Sequence, residues 1–251
     1  MDKPIVSIIT PCYNAAGFVK KTAESVFNQT VKDWEWIIVD DCSTDDTCII
    51  LREIASSDNR IKLFSTGRNT GTPAEPRNIG LQEAKGEYVA LLDADDIWYP
   101  SKLEEQLKLI RERGCKIVYT NGDMIDEKGK YVRSMKKQDW VDYRRTLKRN
   151  ELSCSSALLE KSIIGNLRFQ TIPKEDFVFW LSLLRKTGEK AYNTNTSLYA
   201  YRIVGDSRSR NKESIIKQQW HVLREVERLN LIDAAYCFSC WVFRNLKKYY
   251  I

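Results

Sequence analysis

Histidine and long apolar runs are both scarce in this chain of 251 residues. The one histidine, His221, lies in a late helical pattern, where surface or packing contacts are expected, so histidine-based catalysis is excluded. The uncharged run at residues 234–243 is ten residues long, whereas a helix that spans a membrane needs about 20. Residues 1–4 lead directly into a strand-like run, so we expect a cytoplasmic protein without a signal peptide or transit sequence.

Paired cysteines and a one-sided charge are also lacking. The seven cysteines are odd in number and scattered among apolar residues, which indicates reduced thiols rather than a disulfide framework. Cys237 and Cys240 form a CxxC without a second pair, so we interpret them as packing residues rather than metal or redox ligands. The net charge of +6 comes from interspersed charges of both signs, which excludes a nucleic-acid-binding arm. A local anionic partner, such as a nucleotide phosphate or a membrane surface, remains open.

What the chain does have is a regular alternation of strand and helix patterns over its first 120 residues, with a hydrophobic content of 43% that supports a packed core. The predicted strands are residues 5–10, 36–39, 61–64, 88–92 and 116–119, with amphipathic helices between them. Ser43 is predicted to cap the second helix, and Ser101 with Glu104 to form a capping box on the fourth. This alternation predicts an α/β, Rossmann-like fold with a mainly parallel sheet flanked by helices, and ligands beyond the carboxyl ends of its strands.

The most informative stretch is residues 88–98, an aliphatic run that ends abruptly in acids. It predicts a buried strand that delivers Asp93, Asp95 and Asp96 to the edge of the sheet, where the carboxylates would repel one another without a cation. Asp95, and after it Asp93, are therefore candidate metal ligands. Asp96 is expected to cap or brace the turn before Trp98.

The second half of the chain lacks the regular alternation of strand and helix patterns. Residues 128–149 hold nine basic residues against two acidic ones, which is typical of a solvated surface; the alternative is a mobile loop over phosphates or near anionic lipid. A helix that ends at Gly188 carries Asp176 in its first turn. Residues 197–201 are β-like, and two helices are predicted in the tail. Its aromatic and basic end either lies on a membrane surface or covers the core.

Five signals in this order resemble the bacterial family 2 glycosyltransferases. They are Pro11-Cys12-Tyr13-Asn14, residues 39–45 (VDDCSTD), Asn69-Thr70-Gly71 leading to Arg77-Asn78, residues 92–96 (LDADD), and Glu175-Asp176. The resemblance covers roughly residues 4–210 and implies a GT-A catalytic domain at 1–210, with a nucleotide-sugar-binding half at 1–120 and an acceptor-side half at 121–210. Residues 211–251 are then a C-terminal helical extension, which matches only loosely, as in transferases that build capsule, O-antigen or teichuronic-type polysaccharide.

The resemblance implies a metal-dependent, inverting transfer of a sugar from a nucleotide donor, most often a UDP-sugar, to a hydroxyl of a saccharide or lipid-linked saccharide at the inner face of the membrane. By position, Pro11 and Tyr13 belong to the donor site, where Tyr13 would stack on the base. Asp41 would accept the uracil imide hydrogen, with Asp40 as its neighbour. Arg77 would lie near the donor.

The same resemblance assigns the chemistry. Asp93 would approach the ribose or the metal, and Asp95 would hold Mn²⁺ or Mg²⁺ bridging the two phosphates. Asp176 would be the general base on the opposite face of the sugar. Arg202 lies in a late segment that such enzymes often carry near the diphosphate, so it is a candidate phosphate contact.

Three of these residues also have a structural alternative. Tyr13 would then pack in the core, and Arg77 would pair with an aspartate. Asp176 would cap a helix, and Glu175 is the residue most easily confused with it as the base. Ala74-Glu75-Pro76 departs from the small residues that are usual before the arginine in this family. Two other functions compete with the transferase: a non-catalytic nucleotide-sugar-binding partner in a polysaccharide assembly complex, and a sugar-nucleotide pyrophosphorylase. The latter needs a glycine-rich basic loop that residues 10–14 lack.

Overall fold

The structure is a computed structural model that describes residues 3–205 and 212–250, with side chains described from residue 214 to 244 in the second segment. Its strands are β1 (Val6–Cys12), β2 (Trp34–Asp40), β3 (Ile61–Ser65), β4 (Tyr88–Leu91), β5 (Ile97–Trp98), β6 (Ile117–Ile125), β7 (Tyr131–Met135), β8 (Trp140–Val141), β9 (Leu158–Glu160) and β10 (Ala191–Arg202). Its helices are α1 (Val19–Phe27), α2 (Thr47–Ser57), α3 (Ala74–Glu83), α4 (Lys102–Arg113), α5 (Tyr143–Lys148), α6 (Lys161–Ile164), α7 (Glu175–Thr187), α8 (Lys212–His221) and α9 (Leu231–Tyr250). A 3₁₀ turn at Cys154–Ser156 precedes β9, and a π-helical turn at Val222–Val226 follows α8.

The strands form one sheet in the order β3-β2-β1-β4-β9-β6-β10-β5, with β7 beside β6 and β8 beside β10. The first four strands pair in parallel. Strand β9 enters antiparallel between β4 and β6, so β6 and its parallel partner β10 keep the direction of the first four. Six of the ten described strands therefore share one direction, and the predicted α/β fold with a mainly parallel sheet is confirmed. Strand β9 was not predicted.

Both faces of the sheet are buried, which is why its central strands read as continuous apolar runs. All seven residues of β2 are buried, and β1 is buried except at Pro11. In the register of the sheet, Cys12 pairs with Asp40 and Ile9 with Leu91, so the carboxyl ends of β1, β2 and β4 meet at one edge. The predicted acidic strand ends therefore lie together.

Two predicted side-chain caps are wrong. Ser43 does not cap α2, because its Oγ donates to Asp40 Oδ1 at 2.5 Å and accepts from the backbone of Asn14, and the helix begins after Asp46. Ser101 does precede α4, but its side chain makes no capping hydrogen bond, and Glu104 Oε2 instead accepts from Thr30 Oγ1 at 2.9 Å. The Ser43 hydroxyl and the Glu104 carboxylate therefore have other hydrogen-bond partners than the helix ends for which they were predicted.

The basic residues 128–149 form strands β7 and β8 and helix α5. The mobile loop of the alternative is therefore not observed at these residues, and a short turn after β6 leads into β7. The helix predicted around Asp176 is α7, and Gly188 ends it with a positive φ of 68°.

The two predicted tail helices are α8 and α9, and they pack on α5 and α7 around a third core cluster of buried residues. Its members are Leu147, Phe177, Val178, Leu181, Val222, Leu223, Ala234 and Cys237. Cys237 thus packs in a core, as the interpretation of the CxxC predicts, and Cys240 lies half-buried beside it with a free thiol. The predicted boundary between residues 210 and 211 falls outside the described residues. Within the described part of the chain, no helix combines the length and apolarity needed to cross a bilayer.

Candidate active site

Asp41 lies directly after β2, buried at the edge where β1 and β2 end. Its carboxylate accepts hydrogen bonds from Thr66 Oγ1 at 2.8 Å and from the backbone nitrogen and Oγ1 of Thr70 at 3.0 Å and 2.9 Å. Its own backbone nitrogen donates to the carbonyl of Cys12 at 2.7 Å. The loop after β3 is thereby tied to Asp41, which holds this carboxylate in a fixed orientation at the edge of the sheet.

Tyr13 and Asp40 flank this position with different surroundings. The Tyr13 side chain is 49% exposed, so the alternative in which it packs in the core is wrong. Asn14 follows with a positive φ of 49°, and its amide oxygen accepts from the backbone nitrogen of Thr44 at 2.8 Å. The Asp40 carboxylate is occupied by the hydroxyl and backbone nitrogen of Ser43. Tyr13 is therefore accessible beside the strand ends, whereas Asp40 holds the loop before α2.

The acids after β4 form a tight turn. The backbone nitrogen of Asp96 donates to the carbonyl of Asp93 at 3.1 Å, and Thr22 Oγ1 on α1 donates to the carbonyls of Ala94 and Asp96 at 2.8 Å and 2.9 Å. Asp96 itself is 1% exposed and accepts from the backbone nitrogen of Arg202 at 3.0 Å. It braces the turn, as the sequence predicted, and leaves Asp93 and Asp95 to face the site.

Asp93 and Asp95 differ in their ion-pair partners and in the electrostatic effects on their carboxylates. Burial, together with the charge of Asp93, raises the pKa of Asp95 to about 6. Within residues 3–205 and 212–244, no lysine or arginine forms an ion pair with Asp95, whereas Asp93 pairs with Arg77. The same part of the chain holds no group of three or more His, Cys, Asp and Glu side chains that fits a metal ion. Among the described residues, Asp95 thus has no ion-pair partner, and the nearby charge of Arg202 opposes its raised pKa only in part.

Arg77, on α3, connects the two sides of the site. Its buried guanidinium donates from Nη2 to Asp93 Oδ1 at 2.7 Å and from Nη1 to Glu175 Oε1 at 3.2 Å, and it lies 5.3 Å from the ring centroid of Phe169. The structural alternative, in which Arg77 pairs an aspartate, is thus observed. Because the second partner is Glu175, the arginine also joins the acidic turn to the start of α7.

Asp176 lies in the first turn of α7, next to Glu175. Burial and the charge of Glu175 raise the pKa of Asp176 to about 6, against the opposing charge of Arg77. The two acids, which the sequence did not separate, are distinguished here: Glu175 is in an ion pair, and Asp176 has none among the described residues. Asp176 is thus a carboxylate with a raised proton affinity beside the acidic turn.

Arg202, at the end of β10, is almost fully buried behind the acidic turn. Its Nε donates to the carbonyl of Asp95 at 2.8 Å, and its Nη1 to the carbonyls of Asp126 and Glu127 at 3.2 Å and 3.0 Å. Its Nη2 has no partner among the described residues. The observed contacts brace the backbone of the turn, and one buried donor remains for a further ligand.

Some residues of the site were not predicted from the sequence. Ser155, in the 3₁₀ turn before β9, accepts from the backbone nitrogen of Asp93 at 3.0 Å. Nothing in its local sequence marks it, since it reaches the site only through the unpredicted pairing of β9 with β4. Thr70 lies inside one of the quoted motifs, but its contact with Asp41 needed the structure. Lys174 precedes the two acids of α7, and burial lowers its pKa to about 8.

Comparison with known proteins identifies the class to which this fold and site belong. Residues 7–168 match Glycosyl transferase family 2, and the chain belongs to that family. It is therefore a glycosyltransferase, and the match gives no support to the pyrophosphorylase alternative.

Two bacterial relatives are similar over almost their whole length. The chain is 38% identical to the putative teichuronic acid biosynthesis glycosyltransferase TuaG of Bacillus subtilis, with 98% of both chains covered. It is 33% identical to the UDP-Glc:alpha-D-GlcNAc-diphosphoundecaprenol beta-1,3-glucosyltransferase WfgD of Escherichia coli, with 99% of this chain and 96% of that protein covered. The predicted placement in polysaccharide biosynthesis is confirmed by these relatives.

A solved structure confirms the fold. The TarS fragment 1–349 of S. aureus, in complex with UDP-GlcNAc, superposes with a TM-score of 0.73 at 19% identity and covers 96% of this chain and 72% of that one. At this level of identity the likeness shows the GT-A fold alone.

Proposed function

We propose that this chain is a metal-dependent, inverting glycosyltransferase that moves a sugar from a UDP-sugar to a hydroxyl of a lipid-linked saccharide. The observation that carries the proposal is the arrangement around Arg77: one guanidinium contacts Asp93 of the acidic turn and Glu175, the neighbour of Asp176. A site for a diphosphate and a site for a proton acceptor are thereby adjacent. The name of WfgD, with its UDP-Glc donor and diphosphoundecaprenol acceptor, supports the choice of substrates.

The donor nucleoside is proposed to lie across the ends of β1 and β2. The exposed ring of Tyr13, which follows Pro11 and Cys12 at the end of β1, is available to stack on uracil. Asp41 would accept the imide hydrogen, because Thr66 and Thr70 already fix its carboxylate in place. Asp40 supports this loop through Ser43 rather than facing the base.

The residues of the acidic turn fit a hard divalent cation, Mn²⁺ or Mg²⁺. Asp95 is the proposed ligand, with Asp93 second, because burial and the neighbouring charge of Asp93 raise the pKa of Asp95, whereas Asp93 is already in an ion pair with Arg77. Since the described residues offer no third carboxylate, the remaining ligands are expected to be phosphate oxygens and water. When bound, the cation would stabilise the negative charge of the departing diphosphate. Nη2 of Arg202, which has no partner among the described residues, is the proposed protein donor for the same charge.

Asp176 is proposed to accept the proton of the acceptor hydroxyl as the new glycosidic bond forms. Its raised pKa makes it a better proton acceptor than an ordinary aspartate, while it remains mostly ionised at neutral pH. Glu175 is not equivalent, because its carboxylate is engaged by Arg77. A single in-line displacement needs the base on the face of the sugar opposite the diphosphate, and Asp176 lies on a different element from the acidic turn.

The acceptor is proposed to reach the site from an anionic membrane surface. Helix α9 buries Ala234 and Cys237, whereas Ile232 is 82% exposed and Tyr236 is 56% exposed. Lys148 of α5 lies 4.7 Å from the ring centroid of Tyr236, so the basic stretch and the apolar face of α9 form one surface. Basic side chains beside exposed apolar ones are typical of peripheral membrane contact.

Vesicle binding tests the membrane contact. Replacing Arg144 and Arg145, both exposed on α5, by glutamate should weaken binding to vesicles that contain anionic phospholipid. The matched control replaces Lys20 and Lys21 on α1 by glutamate and should bind as the unchanged protein does. Equal weakening by both pairs, or no binding to anionic vesicles at low salt, would contradict the contact.

Substrate screening tests the proposed activity. The protein is incubated with a panel of UDP-, GDP- and dTDP-sugars, with and without Mn²⁺, in the presence of a diphosphate-linked lipid saccharide. We expect release of UDP that depends on the metal, on one donor sugar and on the acceptor. Binding of UDP-sugars without any release across the panel would favour the non-catalytic binding partner instead.

A further inference from the structure

Lys174, the residue before the two acids of α7, has an unusual conformation. Its backbone is left-handed, with φ 58° and ψ 43°, a region in which side chains other than those of Gly, Asn and Asp are uncommon. Its Nζ donates to Gln219 Oε1 of α8 at 2.6 Å and lies 4.7 Å from the ring centroid of Trp241 of α9. The ammonium group thus contacts one residue of α8 and one of α9.

The partners of Lys174 are themselves well fixed. Gln219 is 1% exposed in α8. Trp220 packs edge-on against Phe238 at 5.4 Å between ring centroids, and Phe238 stacks on Trp241 at 5.9 Å, which joins α8 to α9. The third core cluster then joins both helices to α7 through Phe177 and Val178, the two residues that follow Asp176. The residues that precede and follow the two acids, Lys174 on one side and Phe177 and Val178 on the other, therefore contact the C-terminal helices.

No local contact accounts for the conformation at this position. Helix α7 begins without a side-chain capping hydrogen bond. A lysine in the left-handed region is strained, and such strain persists where surrounding contacts enforce it. The described side-chain contacts of Lys174 are with Gln219 and Trp241, which lie 45 and 67 residues further along the chain.

We propose that Lys174 is a positioning residue through which the C-terminal helix pair α8–α9 fixes the direction of the Glu175-Asp176 turn. The inference rests on the proposed function of Asp176 as the base. It gives the tail a role in turnover besides membrane contact. Lys174 touches neither the acidic turn nor the ends of β1 and β2 in the described structure, so donor binding is independent of it.

The decisive variant is Lys174→Gly, because glycine adopts a positive φ without strain and the variant is expected to fold. Misplacing a reacting group by about 1 Å costs up to about a hundredfold in rate, so kcat should fall by about ten- to a hundredfold. The donor KM and the Kd for UDP should stay within about twofold, since that half of the site is untouched. Lys174→Arg, which retains a donor for Gln219 and a cation over Trp241, should recover most of the loss.

The matched control is Lys190→Ala. Lys190 also lies over a tryptophan ring, 4.6 Å from the centroid of Trp140, but outside the α8–α9 pair. Its kcat should equal that of the unchanged protein. If Lys174→Gly loses no more kcat than this control, or if its donor KM rises by the factor by which kcat falls, the proposal is overturned.

A second variant tests the route to the helix pair. Gln219→Leu removes the hydrogen-bond acceptor without altering the backbone of residue 174, and it should lower kcat in the same way. In the double variant the two losses should not multiply, because both remove one interaction; multiplying losses would overturn the proposal. Turnover by Asp176→Asn separates the proposed base from the proposed positioning role. If Asp176→Asn is fully active, the assignment of the base is wrong. If Asp176→Asn is inactive while Lys174→Gly is fully active, only the positioning role of Lys174 is wrong.

Discussion

The two halves of the site are built in different ways. On the proposed donor side, Tyr13, Asp41 and the acidic turn follow directly from the ends of β1, β2 and β4, which are neighbours in a parallel sheet. On the proposed acceptor side, Asp176 lies in the first turn of a helix whose position depends on contacts with α3 and with the C-terminal helices. The donor half is therefore encoded locally and the acceptor half by distant parts of the chain. Substitutions in the two halves should separate binding from turnover.

The largest expected effect is in the acceptor half. Asp176→Asn keeps the size of the side chain but removes the proton acceptor, so turnover should fall by about 10²- to 10⁴-fold. The Kd for UDP should change by less than about twofold, because donor contacts remain. Turnover is measured as UDP release and binding by calorimetry. Glu105→Gln, an acid in the first turn of α4, is the control and should keep full turnover.

The donor half should show the converse. Asp95→Asn should weaken metal-dependent UDP binding by at least about tenfold, a loss typical of disturbed metal sites, and turnover should fall with it. Titration of UDP at several Mn²⁺ concentrations measures this. Asp46→Asn, at an acid before α2 outside the site, is the control. If Asp95→Asn binds UDP and Mn²⁺ as the unchanged protein does, the assignment of the metal ligand is wrong.

Arg77 connects the halves, so its loss should affect both. Arg77→Met leaves Glu175 buried without its cation, and breaking such a buried pair typically costs about 3–5 kcal/mol. Because Asp93 is about one-third exposed and partly screened, we expect about 2–4 kcal/mol lower unfolding free energy. Urea unfolding measures it, and Arg77→Met with Glu175→Gln should recover part of the loss. A double variant no more stable than Arg77→Met would contradict the pairing.

A smaller effect concerns pH. The pKa of Asp176 in the folded protein is about 6, above the usual value of an aspartate, so the folded state holds this proton more tightly than the unfolded state. Stability from this group is therefore greatest below about pH 4 and is lost as the pH rises through about 6. Turnover should rise over that same interval as the base ionises. At neutral pH, Asp176→Asn should melt a few degrees higher than the unchanged protein; a lower melting temperature would contradict the raised pKa.

The difference between the halves also explains what the sequence could predict. The alternating apolar runs predicted strands β1 to β4, because each is a short local pattern, and these strands bring Asp41 and Asp93 to one edge. The cap predicted at Ser43 was wrong because its hydroxyl donates a hydrogen bond to Asp40 instead. No local pattern marks the three-residue strand β9, which is paired between β4 and β6.

For the proposed acceptor half, the sequence could predict which residues take part but not how they contact one another. Asp176 was found through its place in the family pattern, but its separation from Glu175 depends on an ion pair with Arg77, 98 residues earlier. The left-handed Lys174 and its partners in α8 and α9 could not be inferred, because helical periodicity says which face is buried and not what it contacts.

The anomeric configuration of the product tests the central claim most directly. In the proposed mechanism the acidic turn and Asp176 lie on opposite faces of the sugar, so an α-linked UDP-sugar would be converted by one displacement into a β-linked product. The coupling constant of the anomeric proton, measured by NMR on the isolated product, gives the configuration. We expect complete inversion; an α-linked product would contradict a single displacement with Asp176 as the base.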